Sequence, residues 1–166
     1  MTTICVIGVG NSWASDDGIA PMLVDRVRTR YSDSDLSKGD TAISFIVVPF
    51  LDVSLLNVMA QCEIVVLVDA VKGNASPGII HKQVYRPGVL VSKGVERASS
   101  HGVGVREVLA LASALDRLPD LVLLWGVEVV STEPGTGMSA FLYGKLPELE
   151  RQLLEDLQEL SVKLEV

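Results

Sequence analysis

The sequence predicts an α/β fold: a single three-layer α/β/α domain, residues 1–166, with a twisted, mostly parallel sheet and one edge strand that could be antiparallel. Short β-branched runs alternate along the chain with segments of helical periodicity. The run EIVVLVDAV, residues 63–71, is apolar on both faces, which is typical of a parallel strand covered by helices. A length of 166 residues with 48% apolar content is enough for one domain with a substantial core.

Five runs of apolar, largely β-branched residues predict the strands of the sheet. Glycine or proline ends the first two, at Gly10 and at Pro49. The fourth run alternates apolar and polar residues, which is the pattern of an edge strand. The predicted strands cover residues 3–10, 42–48, 63–71, 79–85 and 121–130.

Four segments predict the helices that flank the sheet. The first begins at Asp17 and the second at Asp52, whose carboxylate is suited to cap a helix N-terminus. The third follows a long loop, residues 86–100, and the last contains leucines at gaps of four and three, with Pro147 in its first turn. The apolar positions that define three of these helices are Ile19, Leu23, Val27 and Tyr31; Val105, Val108, Leu109, Ala112 and Leu115; and Leu149, Leu153, Leu157, Leu160 and Leu164.

The charge and the cysteine content limit the classes of partner. The net charge is −7 and there is no basic cluster, which argues against binding to nucleic acid or to an anionic membrane surface. The longest apolar stretch is far too short to span a membrane, and the N-terminus lacks the pattern of a secretory signal. Cys5 and Cys62 lie in or beside apolar runs and are expected to be buried and reduced. We therefore expect a cytoplasmic protein.

The segment GVGNSWASDDGIAP, residues 8–21, follows the first strand, where a nucleotide-binding fold would place its phosphate loop. A dinucleotide fingerprint needs a third glycine where this chain has Trp13, and the carboxylates of Asp16 and Asp17 would repel phosphates. The Gly-Lys-Ser/Thr ending of a P-loop is also missing. A structural interpretation is that Ser15 or Asp16 caps the following helix, whose dipole favours acidic side chains at its start.

Two further polar residues are expected near Asp17. Asp69 ends the otherwise apolar third strand, and the carboxyl ends of parallel strands share one edge of the sheet. His101, within SSHGVGV, precedes a helix on the same edge. Each of these side chains alone has a structural explanation. Together, two carboxylates and one imidazole suit a divalent ion such as nickel, zinc, cobalt or manganese, with coordination positions left open for water or substrate.

Other polar and reactive side chains have less specific interpretations. Asp16 either orients Asp17 or caps the helix, and both alternatives remain open. His81 lies within a strand without an acidic neighbour in sequence and is predicted to be structural. No nucleophile is assigned, because the cysteines lie in apolar surroundings and the serines at 99 and 100 directly precede His101. With these side chains eliminated, we expect a water molecule to be the attacking group.

The segments GVGNSWASDDGIAP, VLVDAV and SSHGVGV occur in the order and spacing seen in the nickel–iron hydrogenase maturation endopeptidases. The pattern of that family is a Gly-X-Gly-Asn turn, an acidic pair followed by glycine, a strand that ends in Asp-Ala and a histidine at a helix entry. The chain resembles the family over essentially its whole length. The resemblance implies a twisted sheet flanked by helices, in agreement with the fold predicted above.

The resemblance also implies an activity. Members of the family remove a short C-terminal extension from the hydrogenase large-subunit precursor once nickel has been inserted. They contact that nickel through positions that match Asp17, Asp69 and His101, which would then act in catalysis through the metal. The nickel is expected to be that of the precursor, and other divalent ions such as Zn²⁺ or Cd²⁺ could occupy the same ligands. The implied partner is the nickel–iron hydrogenase large-subunit precursor.

Two positions depart from the family's common pattern. Residues 48–51, Val-Pro-Phe-Leu, stand where many relatives have a Gly-Gly-Thr-like turn linked with substrate recognition, and Ala20 replaces a frequent glycine. These changes leave the identity of the partner hydrogenase open. Trp13 and Phe50 either pack beneath their loops or form an apolar rim that binds the large subunit. The alternative function is a non-catalytic nickel-sensing chaperone or binding module for the large subunit, and a nucleotide-binding domain is the third hypothesis.

Overall fold

The computed structural model of the chain describes residues 2–33, 39–87, 104–133 and 137–163. The strands are β1 (Thr2–Val9), β2 (Thr41–Val48), β3 (Ile64–Val71), β4 (Ile80–Tyr85) and β5 (Leu121–Glu128). The helices are α1 (Ile19–Ser32), α2 (Leu55–Met59), α3 (Val105–Ala114) and α4 (Ala140–Lys163), and a 3₁₀ turn, Ser15–Gly18, precedes α1. No helix within the described ranges is both long enough and apolar enough to cross a membrane.

The five strands form one sheet in the order β2-β1-β3-β5-β4. The pairs β1–β2, β1–β3 and β3–β5 are parallel, whereas the edge strand β4 is antiparallel to β5. Every residue of the central strand β3 is buried, because helices cover both faces of the sheet. The predicted fold class, including its antiparallel edge strand, is confirmed.

Alternation of side chains along the strands divides the core into two clusters. Val66 and Val68 of β3 face α1 and α4, whereas Val65 and Leu67 face α2 and α3. Asp69 follows in the second series, so its side chain lies on the α2–α3 face of the sheet. Because α3 ends just before β5 begins, the N-terminal end of α3 lies towards the carboxyl edge of the parallel strands. The fold therefore directs both the end of β3 and the start of α3 to the same edge.

The start of α4 differs from the prediction. The helix begins at Ala140, so Pro147 lies inside the helix and not in its first turn. Proline has no N–H to donate to the carbonyl of Tyr143, one turn earlier. The helix nevertheless continues, because the buried side chains of Leu142 and Leu146 pack on the sheet on both sides of this interruption.

The prediction that Asp52 caps α2 is also wrong. The helix begins at Leu55, with Ser54 in the N-cap position. Asp52 instead accepts a hydrogen bond from the Ser54 N–H at 2.7 Å, which forms a local side-chain turn, and the Ser54 hydroxyl donates to the same carboxylate. These hydrogen bonds lower the pKa of Asp52.

His81 has an acidic partner that the sequence does not reveal. Its Nε2 lies 2.8 Å from Oε2 of Glu128, 47 residues away in the chain. The Glu128 side chain is buried, and its Oε1 accepts the Gly73 N–H at 2.5 Å. This carboxylate therefore holds the edge strand β4 and the turn after β3 against the end of β5.

Helices α1 and α4 are joined by a carboxylate between two guanidinium groups. Glu150 of α4 is 2% exposed, and its oxygens lie 2.7 Å from Nε of Arg26 and 2.5 Å from Nε of Arg30, both on α1. The two arginine side chains remain partly exposed. Their contact with water limits the desolvation cost of the cluster.

We expect Glu150→Gln to lower the free energy of unfolding by about 1–2 kcal/mol, because two charge-assisted hydrogen bonds are weakened while the arginines can turn to solvent. Urea denaturation measures this change. The control is Glu155→Gln, which removes an exposed pair with Arg151 on the same helix and is expected to cost less than about 0.5 kcal/mol. Equal losses for the two variants would contradict the structural role of Glu150.

Candidate functional site

The glycines after β1 make room for the chain's own backbone. A Cβ atom at Gly8 would lie 2.8 Å from Cγ2 of Val24 on α1, and a Cβ atom at Gly10 would overlap the carbonyl oxygen of Asp17. Both positions therefore permit a close approach of β1 to the start of α1. Packing of the protein backbone therefore accounts for these glycines, and they give no support to the nucleotide-binding hypothesis.

Asp17 lies in the 3₁₀ turn and is oriented by the loop after β1. Its Oδ2 accepts the backbone N–H of Asn11 at 2.7 Å. Asn11 also stabilises the loop, since its side-chain oxygen accepts the Trp13 N–H and its carbonyl accepts the Ala14 N–H, both at 3.0 Å. The Asp17 side chain is half-buried and held beside the end of β1.

Asp69 lies one strand away, near the end of β3. It is in register with Val9 of β1 on one side and with Gly126 of β5 on the other, and it is 6% exposed. Burial raises the pKa of the Asp69 carboxyl well above its usual range, and the Asp17 carboxylate raises this pKa further, although the Ala70 N–H acts in the opposite direction. The structure therefore brings Asp17 and Asp69 close enough for their charges to interact.

Asp16 does not cap the helix that follows it. The residues at the N-cap positions are Ala14 for the 3₁₀ turn and Gly18 for α1, so neither Ser15 nor Asp16 is the N-cap of the helix that follows. The Asp16 carboxylate is buried and accepts backbone hydrogen bonds from the segment after β5. Its predicted influence on Asp17 stays a prediction at this point.

His101 lies outside the described residues, so its predicted role as the third ligand stays a prediction. The described chain resumes at Gly104, directly before α3, and α3 packs on the sheet face that carries Asp69. Within the described ranges, no group of three or more histidine, cysteine, aspartate or glutamate side chains is arranged to hold a metal ion. Of the three predicted ligands, Asp17 and Asp69 lie within the described residues.

The two aromatic residues near this edge are exposed. Trp13, in the loop after β1, is 85% exposed, and Phe50, in the loop after β2, is 49% exposed. The alternative that they pack beneath their loops is therefore wrong for Trp13 and holds at most in part for Phe50. Because β1 and β2 are adjacent, both side chains border the carboxyl edge of the sheet.

Neither the two cysteines nor Ser15 has the surroundings of a nucleophile. Burial raises the pKa of the Cys5 thiol to about 11 and also raises the pKa of Cys62, so neither is readily ionised. Ser15 lies beside Asp17 in sequence, but its hydroxyl is buried and donates to the carbonyl of Glu133 at 2.6 Å. Both cysteines are free, but only Cys5 is buried as predicted, whereas Cys62 is partly exposed.

The sequence gives no sign that the segment after β5 contacts the 3₁₀ turn, because the contacting residues are more than 100 positions apart. The role of Asn11 was also missed, although its position directly after Gly10 is a signal for a turn. Gly126 was missed as well. It lies beside Asp69 in the sheet, and a Cβ atom there would lie 2.8 Å from Cγ1 of Val71.

We expect Asp69→Asn to raise the melting temperature of the metal-free protein at pH 7. Folding raises the pKa of Asp69, so the folded protein keeps this proton at pH values where the unfolded chain has lost it. The wild type therefore loses stability as the pH rises above the pKa of an unfolded aspartate, about 3.9, and the asparagine variant does not.

Thermal unfolding between pH 4 and pH 7 in the presence of EDTA measures this effect, and the difference between the two proteins is expected to shrink towards pH 4. Asp16→Asn serves as the control, because this carboxylate accepts three backbone hydrogen bonds and its loss is expected to lower the melting temperature. A lower melting temperature for Asp69→Asn than for the wild type at pH 7 would contradict the assignment.

Several known proteins are similar to this chain. Hydrogenase 2 maturation protease of Escherichia coli (strain K12) is 27% identical over 165 residues, which cover 96% of this chain and 93% of that protein. The hydrogenase expression/formation protein HupD of Thiocapsa roseopersicina is 29% identical over 133 residues, 78% of this chain and 56% of that protein. This chain thus spans little more than half the length of that relative.

The fold and the family are supported by two further comparisons. The solved structure of the hydrogenase maturating endopeptidase HybD from E. coli matches with a TM-score of 0.69 and 20% identity, over 96% of this chain and 93% of that one, and so shows the same fold. The sequence model of the family HycI, hydrogenase maturation protease, matches residues 51–156, more than half of the sequence. The chain belongs to the hydrogenase maturation protease family.

Proposed function

We propose that the protein is an endopeptidase that removes the C-terminal extension of a nickel–iron hydrogenase large-subunit precursor after nickel insertion. Asp17, Asp69 and His101 bind the nickel that the precursor carries, and the cleaved peptide bond lies beside it. The observation that carries the proposal is the convergence of the Asp17 and Asp69 carboxylates at the carboxyl edge of the sheet.

A cation is the ligand that best fits these two carboxylates. Two like charges close together, one of them almost wholly buried, repel each other unless a proton or a metal ion lies between them. Carboxylates with an imidazole suit a divalent transition metal. Support for His101 comes from the sequence, where it stands three residues before Gly104, the residue directly before α3.

This arrangement favours a precursor that already contains nickel. Without the metal, contact with the precursor leaves the repulsion between the carboxylates in place, whereas a bound nickel ion relieves it. The difference in binding free energy gives the protein a means of checking that the metal is present. A metal near the scissile bond can also polarise its carbonyl or lower the pKa of a bound water.

Water is the attacking group in this proposal. Its oxygen forms a bond to the scissile carbonyl carbon, the C–N bond breaks, and a proton from the water passes to the leaving amine. The cysteine thiols are poorly ionised, and the Ser15 hydroxyl is engaged with Glu133. The described residues thus act by binding and orienting the metal-loaded substrate.

We expect Asp17→Asn and His101→Ala each to slow processing of a nickel-loaded precursor by at least about 100-fold, because the substrate loses a metal contact that positions it. Mass spectrometry of the large subunit measures the loss of the C-terminal peptide. Glu155→Gln, an exposed change on α4, is expected to process at the wild-type rate. Normal processing by both site variants would show that this group of residues does not act on the substrate.

The second candidate function is a nickel-sensing chaperone or binding module that does not cleave. Such a module would also need Asp17, Asp69 and His101 to bind the nickel-loaded large subunit. The same mass spectrum separates the two functions, because the chaperone would bind the nickel-loaded subunit and leave its mass unchanged.

The exposed Trp13 is expected to contact the precursor. We expect Trp13→Ala to raise KM by about tenfold or more with little change in kcat, because a large aromatic side chain at an interface contributes binding energy. Its exposure predicts a change in stability within about 0.5 kcal/mol. Val162→Ala, an exposed apolar residue on α4, is the control and is expected to leave KM unchanged. An unchanged KM for Trp13→Ala would show that Trp13 is not part of an apolar rim that binds the large subunit.

Other expectations stay predictions. These are the cytoplasmic location and the occupation of the site by Zn²⁺ or Cd²⁺.

A further inference from the structure

The Asp16 carboxylate joins parts of the chain that are far apart in sequence. Its Oδ2 accepts the N–H groups of Val130 and Ser131 at 3.1 and 3.3 Å, and its Oδ1 accepts the Ser139 N–H at 2.7 Å. Asp16 is 1% exposed, so these hydrogen bonds form away from solvent. Hydrogen bonds to an ionised carboxylate are stronger than those between neutral groups. Asp16 therefore links the 3₁₀ turn to the residues after β5 and to the residue before α4.

Asp16 also supplies a negative charge to the N-terminal end of α4. The first turn of that helix contains no acidic residue, and the Ser139 carbonyl accepts the Tyr143 N–H at 3.0 Å as the helix begins. Backbone N–H groups at a helix start favour an acidic partner. Asp16 thus has the chemistry predicted for it, a carboxylate at a helix start, but at a helix 123 residues away in the chain.

Two more hydrogen bonds connect the same segments. The Asp16 N–H donates to the carbonyl of Ser131 at 3.1 Å, and the Ser15 hydroxyl donates to the carbonyl of Glu133 at 2.6 Å. Ser15 has a φ of 47°, a left-handed conformation that is unfavourable for residues other than glycine. Such a conformation persists where its surroundings hold it. The segment after β5 therefore holds the 3₁₀ turn in a strained shape.

We propose that Asp16 is a positioning residue that keeps Asp17 aligned with Asp69, an inference that rests on the proposed function. Asp17 is the next residue in the same turn, whereas Asp69 is fixed independently within β3. When the Asp16 carboxylate is lost, the turn relaxes from its strained conformation and Asp17 moves relative to Asp69. The precursor's nickel then loses one of its contacts, although both ligands are still present in the protein.

A role in stability alone predicts a different result. If Asp16 only anchors α4, its loss lowers the melting temperature without a selective effect on the nickel-loaded precursor. The two roles are therefore separated by comparing the binding of precursor with and without nickel, in variants that are destabilised to a similar extent.

The experiment measures the dissociation constants of the nickel-loaded and nickel-free precursors, together with melting temperatures. The variants are Asp16→Asn, the milder Ser15→Ala, and the control Glu150→Gln, which removes a buried carboxylate remote from the turn in sequence and in contacts. We expect Asp16→Asn to raise Kd for the nickel-loaded precursor by about tenfold or more and that for the nickel-free precursor by less than about twofold. Ser15→Ala is expected to act in the same direction more weakly, and Glu150→Gln to change neither Kd.

Three results would overturn the inference. One is a folded Asp16→Asn protein that binds the nickel-loaded precursor as the wild type does, and another is equal weakening of both dissociation constants. The third result applies if Asp16→Asn does not fold: the ratio of the two dissociation constants in Ser15→Ala is then the same as in the wild type. A wild type that binds both precursors equally would contradict the proposed function itself, which distinguishes that failure from a failure of Asp16 alone.

Discussion

The carboxylates of Asp17 and Asp69 lie close together at one edge of a buried sheet, and the surrounding structure maintains this unfavourable pair. The parallel pairing of β1 with β3 brings the two strand ends side by side. The lack of a side chain at Gly10 lets the 3₁₀ turn approach the end of β1, so that Asp17 reaches this edge. The Asn11 N–H then orients the Asp17 carboxylate. The fold therefore brings two carboxyl groups near each other, which favours a proton on Asp69 or a cation between the two groups.

The two carboxylates are held in place by different kinds of contact. Asp69 belongs to a strand whose every residue is buried, and it is therefore held on both sides by the sheet. Asp17 belongs to a short turn, which depends on contacts from the distant segment after β5. Asp69 is thus fixed by the core, whereas Asp17 is fixed by hydrogen bonds. The hydrogen bonds that hold the turn are more sensitive to mutation than the core packing of β3, since the Asp16 carboxylate makes most of them.

The sequence predicted the fold and the approach of Asp17 to Asp69 because both depend on local patterns. Strand and helix periodicities located the elements, and the rule that parallel strands share a carboxyl edge brought Asp17 to Asp69. Long-range contacts were not predictable in this way. The partner of His81 is 47 residues away, and the Asp16 carboxylate bonds to residues more than 100 positions later. The position of Pro147 inside α4 was also missed, because packing of Leu142 and Leu146 on the sheet outweighs the local signal.

The central claim is that Asp17 and Asp69 share one cation, with His101 as a third ligand. The most direct measurement is a crystal structure of the protein with Cd²⁺, whose anomalous scattering locates the ion. We expect one ion within bonding distance of a carboxylate oxygen of Asp17, a carboxylate oxygen of Asp69 and a ring nitrogen of His101. Separate ions on the two carboxylates, or no ion on either at saturating Cd²⁺, would contradict it.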